Sequence, residues 1–374
     1  MQKAITNYDL RITNSSPLSP SRGGYRGRKI VNPVRELCSL TIIQMAAFSN
    51  GVNLKSQILL LLTVYCSLFT VFYGCASAKN NELPRALTDA ADFNQKGVDE
   101  VAAGNYERAL VEFQRALNLN MGMDNQKGMA VNFINIGRLR LLMDNFDDAK
   151  TMFDSAIKIG AGLNDQFILS EGYASLGRYY YLAGNDKDAV DVLEKAVSID
   201  QKEGHRTVSS RLNALGIVYK EGGRIEEAEK AYNNALKAGK AYEMYADVAD
   251  SFRGLGDIVA KRGDYKKAME LYENALLSDK KAGSAAGISA GLFKLGVLSI
   301  ENNGDSKTAL GFFLRAYAVD SSRGDIKRTL KDLNKIIEIY EELGDKGSVE
   351  TYLLKREMLL KKGTPPEKGM AGEK

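Results

Sequence analysis

Between residues 86 and 320 the apolar side chains fall at helical spacing, and the whole pattern repeats. Six glycines mark it: Gly97, Gly137, Gly177, Gly216, Gly256 and Gly296, with steps of 40, 40, 39, 40 and 40 residues. A bulky residue precedes each by four: Phe93, Phe133, Tyr173, Leu212, Phe252, Leu292. An alanine follows after twelve residues, or thirteen in the last unit, as at Ala149, Ala228 and Ala309. An aromatic or leucine comes four later (Phe153, Leu193, Tyr232, Tyr272), and a second alanine three beyond that (Ala156, Ala196, Ala235, Ala275). Residues at i, i+4 and i+7 share one helix face, so each unit predicts two helices with their apolar faces turned together. Between them lie Gly104-Asn105, Asp144-Asn145, Gly184-Asn185, Gly223-Arg224 and Gly263-Asp264. Glycine suits the left-handed residue that ends one helix; Asn or Asp suits the cap of the next. A long self-similar period implies small units stacked into a solenoid.

This pattern resembles the tetratricopeptide repeat family, from Phe93 to about Asp320. The usual family period is about 34 residues. The longer one here looks like the variant of kinesin light chains and the Leu-Gly-Asn family of polarity adaptors. Two features depart from the family. The proline that often closes a unit is absent, replaced by polar connectors such as GAGLND, and there is no Trp. The resemblance implies an all-α fold, a right-handed α-solenoid of six helix-turn-helix units over 86–320. A Lys/Glu-rich helix pair follows within 321–362, predicted at Asp325–Leu343 and Lys346–Lys361. It lacks the glycine/alanine pattern, and a solenoid end needs a polar outer face, so it reads as a cap. Residues 363–374 read as a disordered tail.

The front of the chain has another character. Ile58 to Gly74 is an uncharged apolar run with Lys55 before it and Gly74-Cys75 at its end. Residues 45–75 therefore resemble a bacterial lipoprotein signal, which implies lipidation at Cys75; 76–85 would be a linker. Phe72 and Tyr73 depart from the usual residues before the cysteine. A spanning anchor, or ordinary secretion with cleavage before Lys79, are the alternatives. Residues 1–44 show no helical or strand period; they read as a basic disordered arm or as an extension upstream of a true start at Met45. The expected location is the bacterial envelope, facing the periplasm, with the outer membrane favoured.

Charge and chemistry narrow the class further. The net charge of +4 is misleading, because residues 1–74 alone carry eight Lys/Arg and two Asp/Glu. The rest is near −2, which gives no electrostatic reason for nucleic acid. Of 3 Cys, two lie in or before the leader. The single His205 sits in a connector and cannot build a multi-His metal site. No nucleophile elbow or phosphate loop occurs, so no enzyme, metal or cofactor is expected.

The family resemblance implies that first helices line a concave groove, with positions three and two before the glycine, and one and four after it, facing in. Carried onto this chain, the candidate groove residues are Asn135, Arg138, Arg178, Tyr181, Asn213, Lys220 and Arg253. Arg138 and Arg178 recur one unit apart. Either they clamp an anionic partner, or they are solvated or paired with Glu171 or another acid. The chaperone-tail carboxylate clamp is not reproduced. The expected function is a protein-binding scaffold, in pilus, secretion or polysaccharide assembly; the alternative is a regulatory receptor for a small peptide or sugar.

Overall fold

The computed structural model describes residues 85–363. Among them lie fourteen α-helices and no strand. They run α1 (Arg85–Ala102), α2 (Tyr106–Gly122), α3 (Gln126–Leu142), α4 (Phe146–Leu163), α5 (Gln166–Leu182), α6 (Asp186–Glu203) and α7 (Val208–Glu221). There follow α8 (Ile225–Ala241), α9 (Tyr245–Lys261), α10 (Tyr265–Ala282), α11 (Ala285–Asn303), α12 (Ser306–Ser322), α13 (Ile326–Glu342) and α14 (Lys346–Gly363). Two compact units emerge, one ending at Gly128 and one running from Met129 to the C-terminal end.

Within the first unit, α1 packs on α2. Phe113, Ala109 and Ala116 are wholly buried. A Cβ on Gly97 would lie 2.5 Å from the Phe113 ring, so only glycine lets that ring seat against the helix.

The second unit is an α-solenoid of stacked helix pairs. Each helix from α5 onward packs on its successor, and first helices of successive pairs touch as well, as α7 does α9. The repeat positions form its core. Ala149, Ala189, Ala228, Ala268 and Ala309 are fully buried, as are Ala156, Ala196, Ala235, Ala275 and Ala316. Phe153, Leu193, Tyr232, Tyr272 and Phe313 are buried beside them. A Cβ on Gly137, Gly177, Gly216 or Gly256 would come within 2.6 Å of the paired Phe153, Leu193, Tyr232 or Tyr272. The period read from the sequence is therefore a period of close helix approach.

Turns match the expected chemistry with two exceptions. Gly184, Gly223 and Gly263 take positive φ, and Asp144 takes φ 57° in the same role. Asn145, Asn185 and Asp264 accept from the backbone N–H three residues on. Asn105 and Arg224 make no such side-chain cap. Asn105 instead donates to Glu100 at 2.8 Å, and Arg224 pairs with Glu227 at 2.9 Å.

A size exchange lies where second helices meet the next first helix. At one repeat position stand Asn120, Gly160, Gly239 and Asp279. A Cβ on Gly160 would meet Ile168, and one on Gly239 would meet Val248, both at 2.9 Å. Where the second helix carries Asn120 or Asp279, the facing residue is Gly128 or Gly287, whose Cβ would meet the polar side chain at 2.3 and 2.0 Å. In these four units small faces large, as dense packing demands; the third and sixth units carry Asp200 and Asp320 at the position, with Val208 and Arg328 eight residues on. The last pair, α13 and α14, closes the array. Leu333, Ile336 and Ile339 of α13 are buried, and α14 leaves Leu354 and Met358 exposed at 60% and 57%.

Candidate ligand-binding face

First helices α3, α5, α7, α9, α11 and α13 lie along one side of the second unit, and polar side chains connect them. Glu171 of α5 is buried at its centre. It accepts from Arg138 of α3 at 2.6 Å and from Arg211 of α7. Arg138 also donates to Ser175 at 3.0 Å. Burial pushes the Glu171 carboxyl up, but Arg211 and then Arg138 outweigh it and hold it down at about 2. Arg211 reaches a second acid, Asp200, at 3.7 Å. Asp200 is fully buried and also binds His205 at 2.9 Å and Thr207 at 2.7 Å. Phe167 lies edge-on to the His205 ring. The single histidine thus holds a helix junction.

Further along, Asn213 donates to the Asp247 carbonyl at 2.9 Å and accepts from Ser251 at 2.8 Å. Arg253 is 5% exposed and bridges Asp250 and Asp279. Asp257 of α9 is shared by two lysines, Lys220 of α7 at 3.0 Å and Lys294 of α11 at 2.7 Å, and takes the Tyr272 hydroxyl at 2.7 Å. Burial pushes Asp257 up; Lys294 and Lys220 outweigh it and draw it below its ordinary value.

The sequence-predicted residues therefore divide. Arg138, Asn213 and Arg253 hold neighbouring helices together, and Arg138 follows the reading in which Glu171 is its partner. Asn135 is buried in α3. Arg178 and Tyr181 of α5 are partly buried, and Tyr181 packs against the apolar cores on either side. Lys220 keeps partial exposure beside Asp257. Cys75 lies outside the described residues.

An open pocket of about 440 Å³ sits between α9, α10 and α11, with Ala260, Tyr265, Val297 and Leu298 as apolar walls and Asp257, Lys261, Lys294 and Glu301 as charged lining. Val297 and Ala260 hold first-helix positions that the repeat register turns inward. The sequence reading did not single out Lys294 among its binding candidates; its place two residues before Gly296, a register position expected to face inward, was the available signal. Among the described residues no cluster of three metal-capable side chains occurs, and no helix is long and apolar enough to cross a membrane.

Residues 169–242 and 206–281 match the tetratricopeptide repeat family model. No curated protein matches the sequence. Among solved structures, the chain is similar to the signal-transduction ATPase with a tetratricopeptide repeat sensor from Pyrococcus horikoshii. Identity is 19% and the TM-score 0.54, over 72% of this chain and 41% of that one, so it spans well under half of that protein. It is also similar to aspartyl phosphate phosphatase F of Bacillus subtilis, at 15% identity and a TM-score of 0.55, over 87% and 89% of the two chains. A Rap protein complexed with competence and sporulation factor matches at 17% identity and a TM-score of 0.50, over 73% and 76%. At these identities the likeness establishes the fold.

Proposed function

Because the chain carries tetratricopeptide repeats, we propose that it is a non-enzymatic scaffold that holds a partner peptide or helix on its first-helix face. The observation that carries this is the open pocket among α9, α10 and α11, which combines apolar walls with a charged rim on that face. Apolar surface with a few placed polar groups is the usual make-up of a ligand site. The ion pairs of Glu171 with Arg138 and Arg211, and of Asp257 with Lys220 and Lys294, tie successive first helices together, so the face is presented ready-formed. A receptor for a small peptide is the second reading; it draws on the Rap neighbour, solved with competence and sporulation factor.

The apolar run ending at Gly74-Cys75 supports an envelope-anchored lipoprotein, outer-membrane favoured, with a place in pilus, secretion or polysaccharide assembly. A mature N-terminus at lipidated Cys75, lost in Cys75→Ala, is the expected result of mass spectrometry. An intact N-terminus upstream of Ile58 would overturn it.

Site-specific photocrosslinking in cells tests the binding face. Crosslinkers at Tyr181 and Val297 should trap one protein partner, while one at Lys237, exposed on second helix α8, should not. Equal trapping from all three positions would remove the first-helix face as the binding surface.

A further inference from the structure

Arg138, Arg211, Lys220 and Arg253, on first helices α3, α7 and α9, are ion-paired inside the fold, and Lys331 at the α11–α13 end differs from them. Among the described residues Lys331 of α13, an exposed side chain, has no ion pair or hydrogen bond; its ammonium stands over the Phe293 ring of α11 at 4.1 Å. Burial pushes it below the ordinary lysine value, and Lys294, Arg328 and Lys335 press it further the same way. Lys294, next to Phe293 in sequence, shares the Asp257 carboxylate with Lys220. Lys335 pairs with Glu338 at 2.6 Å and Arg328 with Asp325 at 3.7 Å, so neither has an acid to lend.

The acid beside Lys331 in the chain does not compensate it. Asp332 is 2% exposed. Burial and the negative charge of Asp320 push it up to about 8, against the pull of Arg328 and Lys331. The neutral form of the Asp332 carboxyl is thereby favoured, which weakens it as a counter-charge for Lys331. Asp320 itself is occupied by Ser289 and by Arg323 at 3.1 Å.

We propose that Lys294 and Lys331 receive a carboxylate of an acidic peptide segment, whose neighbouring apolar side chain enters the pocket walled by Ala260, Val297 and Leu298. This rests on the reading of the first-helix face as the ligand surface. The chemistry favours a peptide. Lysines on the successive first helices α11 and α13, with Lys331 seated over the ring next to Lys294 in the chain, call for an anion, and the adjoining apolar walls call for an aliphatic or aromatic group on the same ligand. A free phosphate would use the lysines and leave the walls bare. Nucleic acid is disfavoured by a charge near −2 over residues 75–374. Glu301 on the pocket lining sets the polarity, turning the carboxylate toward the α13 side.

The test is an array of short random peptides probed with the full chain, followed by fluorescence anisotropy on the strongest binder. Binders should be enriched in Asp or Glu next to Leu, Ile or Phe. The Lys294→Gln/Lys331→Gln variant should bind that peptide at least tenfold more weakly with unchanged helicity, and so should wild type with a peptide whose acids are replaced by amides. Inorganic phosphate at the same concentration should not displace the peptide. Binders without acidic enrichment, or an unchanged Kd in the double variant, would overturn this inference while leaving the binding face standing. Displacement by phosphate would overturn the peptide assignment in favour of a simple anion site. No binder in the whole array would overturn both.

Discussion

Glu171 and Asp332 are both buried carboxyl groups on first helices, yet they end in opposite states. Glu171 has an arginine on either side and is held down at about 2. Asp332 faces another aspartate and is pushed up to about 8. The difference is one of partners. Around Glu171 the buried charges cancel, so the α3–α9 segment is cross-braced and electrically quiet. Around Asp332 the neutral acid is favoured, and Lys331 beside it in the chain has no carboxylate in ion-pair contact among the described residues. Charge near a groove thus marks a binding site only where the chain does not itself consume it.

Breaking the Glu171 network should have the largest effect. Glu171→Gln leaves Arg138 and Arg211 buried with their shared counter-charge gone. Uncompensated buried charge costs about 3–5 kcal/mol, and the lower end applies because Arg211 retains Asp200. Chemical denaturation followed by helicity would read it; a loss under 1 kcal/mol would mean the network is ornamental.

The pH dependence of stability should sharpen the contrast next. Glu171 is depressed from its ordinary 4.5 to about 2, so its contribution is present above pH 4.5 and lost as pH falls toward 2. A shift of that size corresponds to roughly 3 kcal/mol. Asp332 is raised from 3.8 to about 8, so its effect has the opposite sign: stability is greatest below 3.8 and declines as pH rises to 8. Asp332→Asn should flatten that decline and raise stability at pH 8. A decline that persists unchanged in Asp332→Asn would assign it to another group.

Packing should be felt about equally in every unit and so offers a control. Ala228 is fully buried, and Ala228→Leu should cost about 1–3 kcal/mol. Gly256→Ala should cost less. Its Cβ would lie 2.6 Å from Tyr272, but alanine recovers about 1 kcal/mol of helix propensity, leaving a loss near 1 kcal/mol. A stabilised Gly256→Ala would show that the ring can give way.

These two classes of residue also differ in how far the sequence revealed them. Gly216, Ala228, Tyr232 and Ala235 were legible because each unit repeats the same local contact, and local contacts leave a period. The exchange of Gly160 with Ile168 for Asp279 with Gly287 carried a signal too, an inverse size pairing eight residues apart, but it appears only when facing helices are aligned. For Arg138 the sequence offered two readings, an anionic ligand or pairing with an acid such as Glu171, and could not choose between them. Glu171 lies 33 residues on and Arg211 a further 40, on separate first helices, and no spacing rule ties three charges across three units. Lys331 lies in the cap, where the repeat register ends, so no groove position could be carried onto it. Cys75, where the sequence reading expects lipidation, stands outside the described residues.

The most direct test sets one arginine against one lysine. Melting temperature and affinity for an acidic, apolar peptide would be measured together for wild type, Arg138→Gln and Lys331→Gln. Arg138→Gln should lower the melting temperature and leave the peptide affinity almost unchanged, because its guanidinium belongs to Glu171. Lys331→Gln should change the melting temperature little and weaken the peptide severalfold, because among the described residues its ammonium has the Phe293 ring but no carboxylate as partner. The reverse pattern, with Arg138→Gln abolishing binding in a fully stable protein and Lys331→Gln binding as well as wild type, would return the ligand site to the α3–α5 arginines.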